Sequence, residues 1–475
     1  MDPNYRLCLI NPPITPEEKY GIKEFGSSGG RQMPLGIFYI ASFLIEKGID
    51  VKIIDADAEC LDDGEIINRI RTYNADVVGI TSTTMGFHRA HDVARKIKEY
   101  DEDLPILLGG SHVTALPEYS MSFACFDYGI IGEGEITTYQ LLQAIKDHSD
   151  PKDVDGIIYK KEGEIIRTRP RKYIENLDIL PFPARHLVPI KLYKLPAMDY
   201  RRDPALTLLT SRGCPNQCIF CDRNVFGQRY REHSAEYVVA EIDELVEKYG
   251  AKEVAFMDDT FTINKRRVER IMELMKERGH ELDWSCMARV NTVDKEFLQK
   301  MKASGCWHIA YGIESGDQDV LDFIKKNITL EQIRRTVQYT EDAGIESKGF
   351  FIIGHLVDTK ESIEKTIQFA KSLPLSEAFV TLNTPIPNTE QYKIAERYGN
   401  LSTSDWSKFS YYRPVFVPAR LDEEYLLRMR KKFYREFYIH PKRVINHLKK
   451  IRSGVDVKRY ANALNSFSYF VRRGR

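Results

Sequence analysis

The stretch TSRGCPNQCIFCDRNVFGQRYR, residues 210–231, gathers Cys214, Cys218 and Cys221 within eight residues, while the other five of the eight cysteines stand singly along 475 residues. Scattered unpaired cysteines in a chain of this size predict a reducing, cytoplasmic setting and no disulfide framework. A structural zinc site asks for four ligands in closed pairs, and the next candidate, His233, lies twelve residues beyond Cys221 with no partner at x-x-C spacing. An iron–sulfur cube also takes four thiolates. Three thiolates leave one iron open to bind something else, and that opening makes such a cube reactive. The alternatives are an incidental cluster of buried thiols or an unusual zinc knuckle.

The surrounding elements set where this triad sits. In residues 1–148 the runs RLCLINPP, DVKIIDAD, DVVGITSTT, PILLGGSH and YGIIGEG are short and Ile/Val/Leu-rich, and helix-length segments such as LGIFYIASFLIEKG and FHRAHDVARKIKEYD lie between them. That alternation predicts a doubly wound parallel sheet, with ligands at the carboxyl ends of its strands. The first βα loop lacks G-x-G-x-x-G, which argues against a dinucleotide site. Residues 149–204, with a hairpin turning at Glu162-Gly163 and the proline-bearing NLDILPFPARHLVP, are expected to be a linker. From 205 to 400 the rhythm resumes with ALTLLTSRG, EVAFMDD, DWSCMARVN, HIAYGIES, SKGFFIIG and AFVTLNTPIP. Six βα units are fewer than the eight of a closed barrel, so an open, partial (β/α)6 barrel of TIM type is predicted. The cysteines follow its first strand at the carboxyl end, where barrel enzymes hold their chemistry.

Residues 401–475 are expected to be a basic helical region, with one amphipathic helix opened by Asp422 and carrying Leu426, Met429, Phe433 and Phe437 on one face. The whole chain has a formal net charge of zero, but residues 421–475 hold 15 Lys/Arg against 5 Asp/Glu, or +10, leaving −10 for the rest. Aromatic residues including Tyr434, Phe437, Tyr438, Tyr460 and Phe467 interleave with those cations. Such a surface suits an acidic membrane, a phosphorylated substrate or RNA; the expected arrangement is a solvated helical face closing the barrel's open end, and a nucleic-acid partner is not expected. The longest apolar run, LGIFYIASFLI at 35–45, is shorter than the roughly 20 residues of a membrane span. The first residues show no secretion signal. A cytoplasmic protein is predicted, with surface membrane association as a further expectation.

At CPNQCIFC the sequence resembles the radical S-adenosylmethionine enzymes, whose signature is C-x-x-x-C-x-aromatic-C after the first barrel strand. The resemblance implies a [4Fe–4S] cluster on Cys214, Cys218 and Cys221, with Phe220 as the aromatic. S-adenosylmethionine would sit on the fourth iron and be cleaved to a 5′-deoxyadenosyl radical that takes hydrogen from an unreactive carbon. FMDDTF offers Asp258 or Asp259 to the methionyl amine. YGIESG offers Glu314 and Ser315 to ligand hydroxyls or amine. TPIPNT, with Pro385 and Pro387, resembles the sixth-strand turn that contacts adenine; Asn388 replaces the usual glycine, and asparagine tolerates the left-handed conformation. Arg231 and Arg289 are candidate partners for a carboxylate.

The front sheet, linker and barrel together resemble the cobalamin-binding class of these enzymes, over residues 5 to 400. The implied architecture is a Rossmann-like cobalamin domain before the barrel. Glycines allow close approach of a nucleotide tail and hydroxyls can bond its polar atoms. Ser82, Thr83, Thr84, Gly109, Gly110, Ser111, Gly132, Glu133 and Gly134 are the candidates, with Met85 near the lower face of the corrin. His112 would ligate cobalt, contact the tail or pack at the strand end. No Asp-x-His-x-x-Gly motif occurs in the first loop, so the cofactor is expected without a histidine ligand, or lost. The implied reaction is methylation of an unactivated carbon through methylcobalamin, on a small-molecule or lipid substrate, with an electron donor of flavodoxin or ferredoxin type. The alternatives are an oxygen-independent cyclase or rearrangement enzyme, and a non-catalytic corrinoid or iron–sulfur sensor.

Overall fold

A computed structural model gives the architecture and describes residues 5–15, 18, 30–196, 198–402 and 405–439. The five apolar runs become strands β1 (Arg6–Asn11), β2 (Asp50–Asp55), β3 (Val77–Thr81), β4 (Ile106–Gly109) and β5 (Tyr128–Ile130). They pair in parallel in the order β2-β1-β3-β4-β5. Along β1, Leu7 and Leu9 join one core with helix Leu35–Glu46, while Cys8 and Ile10 join another with helix Phe87–Tyr100. A strand covered on both faces has no polar side, so its sequence reads as a hydrophobic run. Strand order reverses between β1 and β3, and the loops leaving them part to form a crevice at the carboxyl edge.

The hairpin of β6 (Ile157–Lys161) and β7 (Glu164–Arg167) turns at Glu162 and Gly163, both with positive φ (53° and 85°). It does not lie in a linker. β6 pairs antiparallel with β5, giving a seven-stranded front sheet, because Ile157, Ile158 and Tyr159 are buried in the front-domain cores.

The second sheet contains β8 (Ala205–Leu208), β11 (Glu253–Phe256), β12 (Asp283–Ala288), β13 (Cys306–Glu314), β14 (Glu346–Ile353) and β15 (Glu377–Leu382), all parallel and in sequence order. Between β8 and β11 run two short strands, β9 (Ser211–Arg212) and β10 (Arg231–Glu232), paired antiparallel. At the amino end of the barrel the buried carboxylate of Glu253 accepts from the amides of Arg201 and Arg202 at 2.7 and 2.8 Å and from the Trp307 indole at 2.9 Å. Burial nevertheless pushes its carboxyl up to about 7 from an ordinary 4.5. The folded state therefore binds this proton more tightly than the unfolded chain. The resulting stabilisation, roughly 3 kcal/mol, is complete below pH 4.5 and lost as pH rises through 7. The melting temperature of the wild type relative to Glu253→Gln, which carries no such proton, should fall between pH 4.5 and 7.5; a constant difference would contradict it.

The helix Glu423–Tyr438 starts at Asp422, whose carboxylate accepts from the Tyr425 amide at 2.7 Å, and buries Leu426, Met429, Phe433 and Phe437 as expected. Its aromatic residues are not a free surface, however. The Tyr434 hydroxyl accepts from Val380 N at 3.2 Å and donates to Val380 O at 3.1 Å, and Tyr438 does the same for Ala378 at 3.2 and 3.0 Å. These hydroxyls satisfy the outer edge of β15, which would otherwise be open to another strand. Tyr460, Phe467 and the rest of the basic tail lie outside the described residues.

The segment between the barrel and this helix returns to the front domain. β16 (Gly399–Leu401) pairs with β17 (Phe416–Pro418), and between them Trp406, Phe409 and Val415 enter the front-domain core. Trp406→Ala should lower stability by about 3–5 kcal/mol, measured by denaturant unfolding, with the front domain losing protection first. Among the described residues no helix is long and apolar enough to cross a membrane.

Candidate active site

The cysteine loop hangs from a tight neck. β9 and β10 bring Arg212 opposite Arg231, closing residues 213–230 into one excursion. Gly213, at φ 83°, begins it; a Cβ there would meet Arg229 O at 2.3 Å, so only glycine fits. The loop tip is pinned twice, by Ile219 N to Ile324 O at 3.1 Å and by Gln391 N to Ile219 O at 2.9 Å. Cys214 is half-buried, Cys218 buried and Cys221 exposed, none in a disulfide. Burial, then the charges of Asp259, Cys218 and Cys214, push the Cys221 thiol up to about 12. The three sulfurs therefore lie close enough to interact, and Cys221 stays protonated until a cation compensates its charge. Among the described residues no three His, Cys, Asp or Glu side chains converge on a single ion; a cube does not ask for that, since its thiolates ligate different irons. His233 is not a fourth ligand: it stacks on Tyr237 at 3.9 Å and faces Asp178.

The two adjacent aspartates after β11 have different tasks. Asp258 is fully buried and accepts from Thr210 N and Oγ1, both at 2.6 Å, and from Ser211 Oγ at 2.7 Å. Both its oxygens are spent on the root of the cysteine loop, so it positions that loop and is not a ligand group. Asp259 is exposed and its carboxylate has no hydrogen-bond partner among the described residues. The surrounding protein, and next the charge of Asp258, hold its carboxyl above the usual range. At the end of β13, Glu314 has φ 69° and pairs with Lys326 at 2.7 Å, both buried. Gly312 makes room for that pair, because a Cβ there would lie 2.5 Å from Glu314 Oε1. Ser315 bonds Thr366 and caps Asp317, so it is scaffold and not a ligand contact. Asn388 takes φ 63°, the left-handed conformation that asparagine tolerates, in the turn that follows Pro385 and Pro387. Phe220 lies 6.1 Å from His355 and under Lys326 at 5.9 Å. Arg289 turns toward Cys218 Sγ at 3.6 Å and donates to the Lys326 carbonyl, so it does not stand free for a ligand carboxylate.

A cavity of about 270 Å³ opens at the carboxyl edge of the front sheet. Gly79, Thr81, Gly109, Gly110, Gly132 and Gly134 line it, with Tyr39 and Ile40 of helix Leu35–Glu46 on one side and Arg212, Val225 and Phe226 of the cysteine loop on the other. Gly36 has nothing within 4 Å of its Cβ position, and Gly109 only Ile80 O at 4.0 Å, so their missing side chains are part of the opening. Walls of aliphatic and aromatic residues over glycines fit a planar heteroaromatic base. Thr83 is exposed and Met85 and Ser111 are half-buried, and none of the three lines the cavity. Ser82 and Thr84 are buried and do not line the cavity: Ser82 bonds the neighbouring carbonyl of Thr83, and Thr84 faces His112 at 3.4 Å. His112 is fully buried, stacked on Phe87 at 4.0 Å, and burial depresses it to about 3. It packs at the strand end, outside the residues that line the cavity.

Two further candidates are reassigned. Glu133 and Arg231, expected at different ligands, meet each other at 2.8 and 3.0 Å, although they are 98 positions apart. Glu133 also accepts from Arg212 at 3.0 Å and from the Ile174 amide at 2.9 Å, and Glu135 accepts from Arg212 at 2.6 Å. Arg231 also donates to the carbonyls of Ile174 and Phe226. All four charged side chains are buried. Burial works against the Arg212 charge, but Glu135 and Glu133 more than offset it and hold the guanidinium above its usual value. The loop that lines the cavity thus grips both ends of the cysteine excursion. Sequence reasoning missed Arg212, Glu135 and Lys326. Only Arg212 had a local signal, two residues before Cys214.

Two sheets, a cysteine triad on the first strand end of one and a glycine-floored slot on the other define a B12-dependent radical enzyme, and the comparisons agree. The Radical SAM superfamily matches residues 208–370 and the B12 binding domain residues 25–142. Uncharacterized methyltransferase PH0819 of Pyrococcus horikoshii is 36% identical over 445 residues, covering 93% of this chain and 94% of that protein. The anaerobic magnesium-protoporphyrin IX monomethyl ester cyclase of Rubrivivax gelatinosus is 28% identical over 426 residues, 87% of this chain and 76% of its own. In fold, the radical S-adenosylmethionine methyltransferase TsrM from Kitasatospora setae superposes with a TM-score of 0.70 at 18% identity, over 88% of this chain and 83% of that one. The chain belongs to the family of B12-binding radical S-adenosylmethionine enzymes, whose cofactors are a [4Fe–4S] cluster, S-adenosylmethionine and cobalamin.

Proposed function

We propose that this enzyme is a methyltransferase that moves a methyl group from S-adenosylmethionine by way of cobalamin to an unactivated carbon. The observation that carries the reading is that Val225 and Phe226 of the cysteine loop, with Arg212 at its neck, wall the front-sheet slot, so the loop that carries the triad borders the candidate cobalamin site. When bound, the cofactors supply radical hydrogen abstraction and methyl donation, and no side-chain acid or base is essential. The chain's residues bind, orient and shield. Cys214, Cys218 and Cys221 hold the cluster. The unpartnered Asp259 beside Cys221 suits the methionyl ammonium, Phe220 and the Pro385–Pro387 turn suit the adenosyl group, and Gly109, Gly110, Gly132 and Gly134 admit the corrinoid tail. Related methyltransferases support a small-molecule or lipid substrate, and a flavodoxin or ferredoxin would supply electrons.

The likeness to the anaerobic cyclase favours a second reading, oxygen-independent ring closure. Trideuteromethyl-labelled S-adenosylmethionine, added anoxically to the reduced cobalamin-loaded protein, separates the two. Methyl transfer predicts the label on the bound corrinoid with an equal amount of S-adenosylhomocysteine; the cyclase reading predicts neither.

A further inference from the structure

Arg289, just beyond β12, is only 7% exposed, and among the described residues it has no ion pair. Of the other buried arginines, Arg185, Arg212, Arg231 and Arg267 each face a carboxylate, while Arg430 donates to the Tyr412 carbonyl. Lys326, whose carbonyl accepts from Arg289, is itself paired with Glu314 at 2.7 Å. The Arg289 guanidinium thus spends one nitrogen on a neutral main-chain carbonyl and gains no anion from it. An uncompensated buried charge is costly unless something neutralises it. What the guanidinium points at is Cys218 Sγ, at 3.6 Å.

We propose that Arg289 is the counter-ion of the cluster and tunes its reduction potential through the Cys218 sulfur. The inference rests on the cube read from the three cysteines. A cube in its 2+ state on three thiolates carries a charge of about −1 and, one electron lower, about −2. A fixed cation and a hydrogen bond to a ligand sulfur favour the more negative form, so Arg289 raises the potential and eases delivery of the electron. In this role it acts through Cys218 and need not touch S-adenosylmethionine.

The test is an EPR-monitored redox titration of the reconstituted full-length protein with viologen dyes as one-electron donors, without S-adenosylmethionine. Arg289→Gln should lower the midpoint by roughly tenfold in the reduction equilibrium, about 59 mV. Arg289→Lys, which keeps the charge and loses the fork, should fall between. Equal midpoints in all three proteins, at unchanged iron and sulfide content, would overturn the proposal. Wild-type protein grown on [15N]arginine guards against a variant that loses its cluster: pulsed EPR of the reduced cluster should show a 15N coupling, and its absence would overturn the proposal as well. Wild-type protein that takes up no iron would overturn the underlying reading of the cysteines instead.

Discussion

Replacing Glu133 by alanine is expected to destabilise the folded chain by on the order of 3–5 kcal/mol and to uncouple its two halves. The carboxylate accepts from Arg212 and Arg231 together, and none of the three is more than 6% exposed. Its removal leaves two buried guanidinium groups with Glu135 as their one remaining carboxylate, and Glu135 bonds Arg212 alone. The penalty is then mostly that of an unpaired buried charge at Arg231. Because those arginines form the neck of the cysteine loop, the iron content of the reconstituted variant should fall with its stability. Calorimetry and iron analysis of the same preparation check both. A variant as stable as wild type, with full iron, would show that the network does not hold the neck.

The second large effect belongs to the triad. Cys214→Ala, Cys218→Ala or Cys221→Ala should each take iron from about four per chain to about none after anoxic reconstitution, since a cube already one ligand short does not survive on two thiolates. Cobalamin binding should persist in these variants, because the glycine-lined slot draws only Leu209, Arg212, Val225 and Phe226 from the barrel. Loss of corrinoid together with iron would instead mean that the two sites fold as one unit.

The architecture was largely legible because fully buried parallel strands announce themselves as Ile/Val/Leu runs, and within each sheet at most three elements separate one parallel strand from the next. The hairpin at Glu162-Gly163 was recognised but misplaced, since pairing of Ile157 with Ile130 depends on tertiary contact that no local pattern records. Within the site, what local chemistry decides was readable: the cysteine spacing, and Asn388 in place of glycine at a left-handed turn. Asp258 and Asp259 were indistinguishable, because adjacent residues point to opposite sides and only the packing decides which one faces Thr210. Glu133, Arg212 and Arg231 were opaque for a different reason. Their partners lie 79 and 98 positions away, and a buried ion pair across a domain interface leaves no periodicity in either segment. His112 was ambiguous until Phe87 was seen stacked upon it.

The most direct test of the account is a metal inventory of the full-length protein purified without oxygen and loaded with hydroxocobalamin. An incompletely ligated cube on a loop that borders a corrinoid slot predicts four irons and one cobalt per chain. Zinc bound at the cysteines, or iron with no cobalt retained, would contradict it.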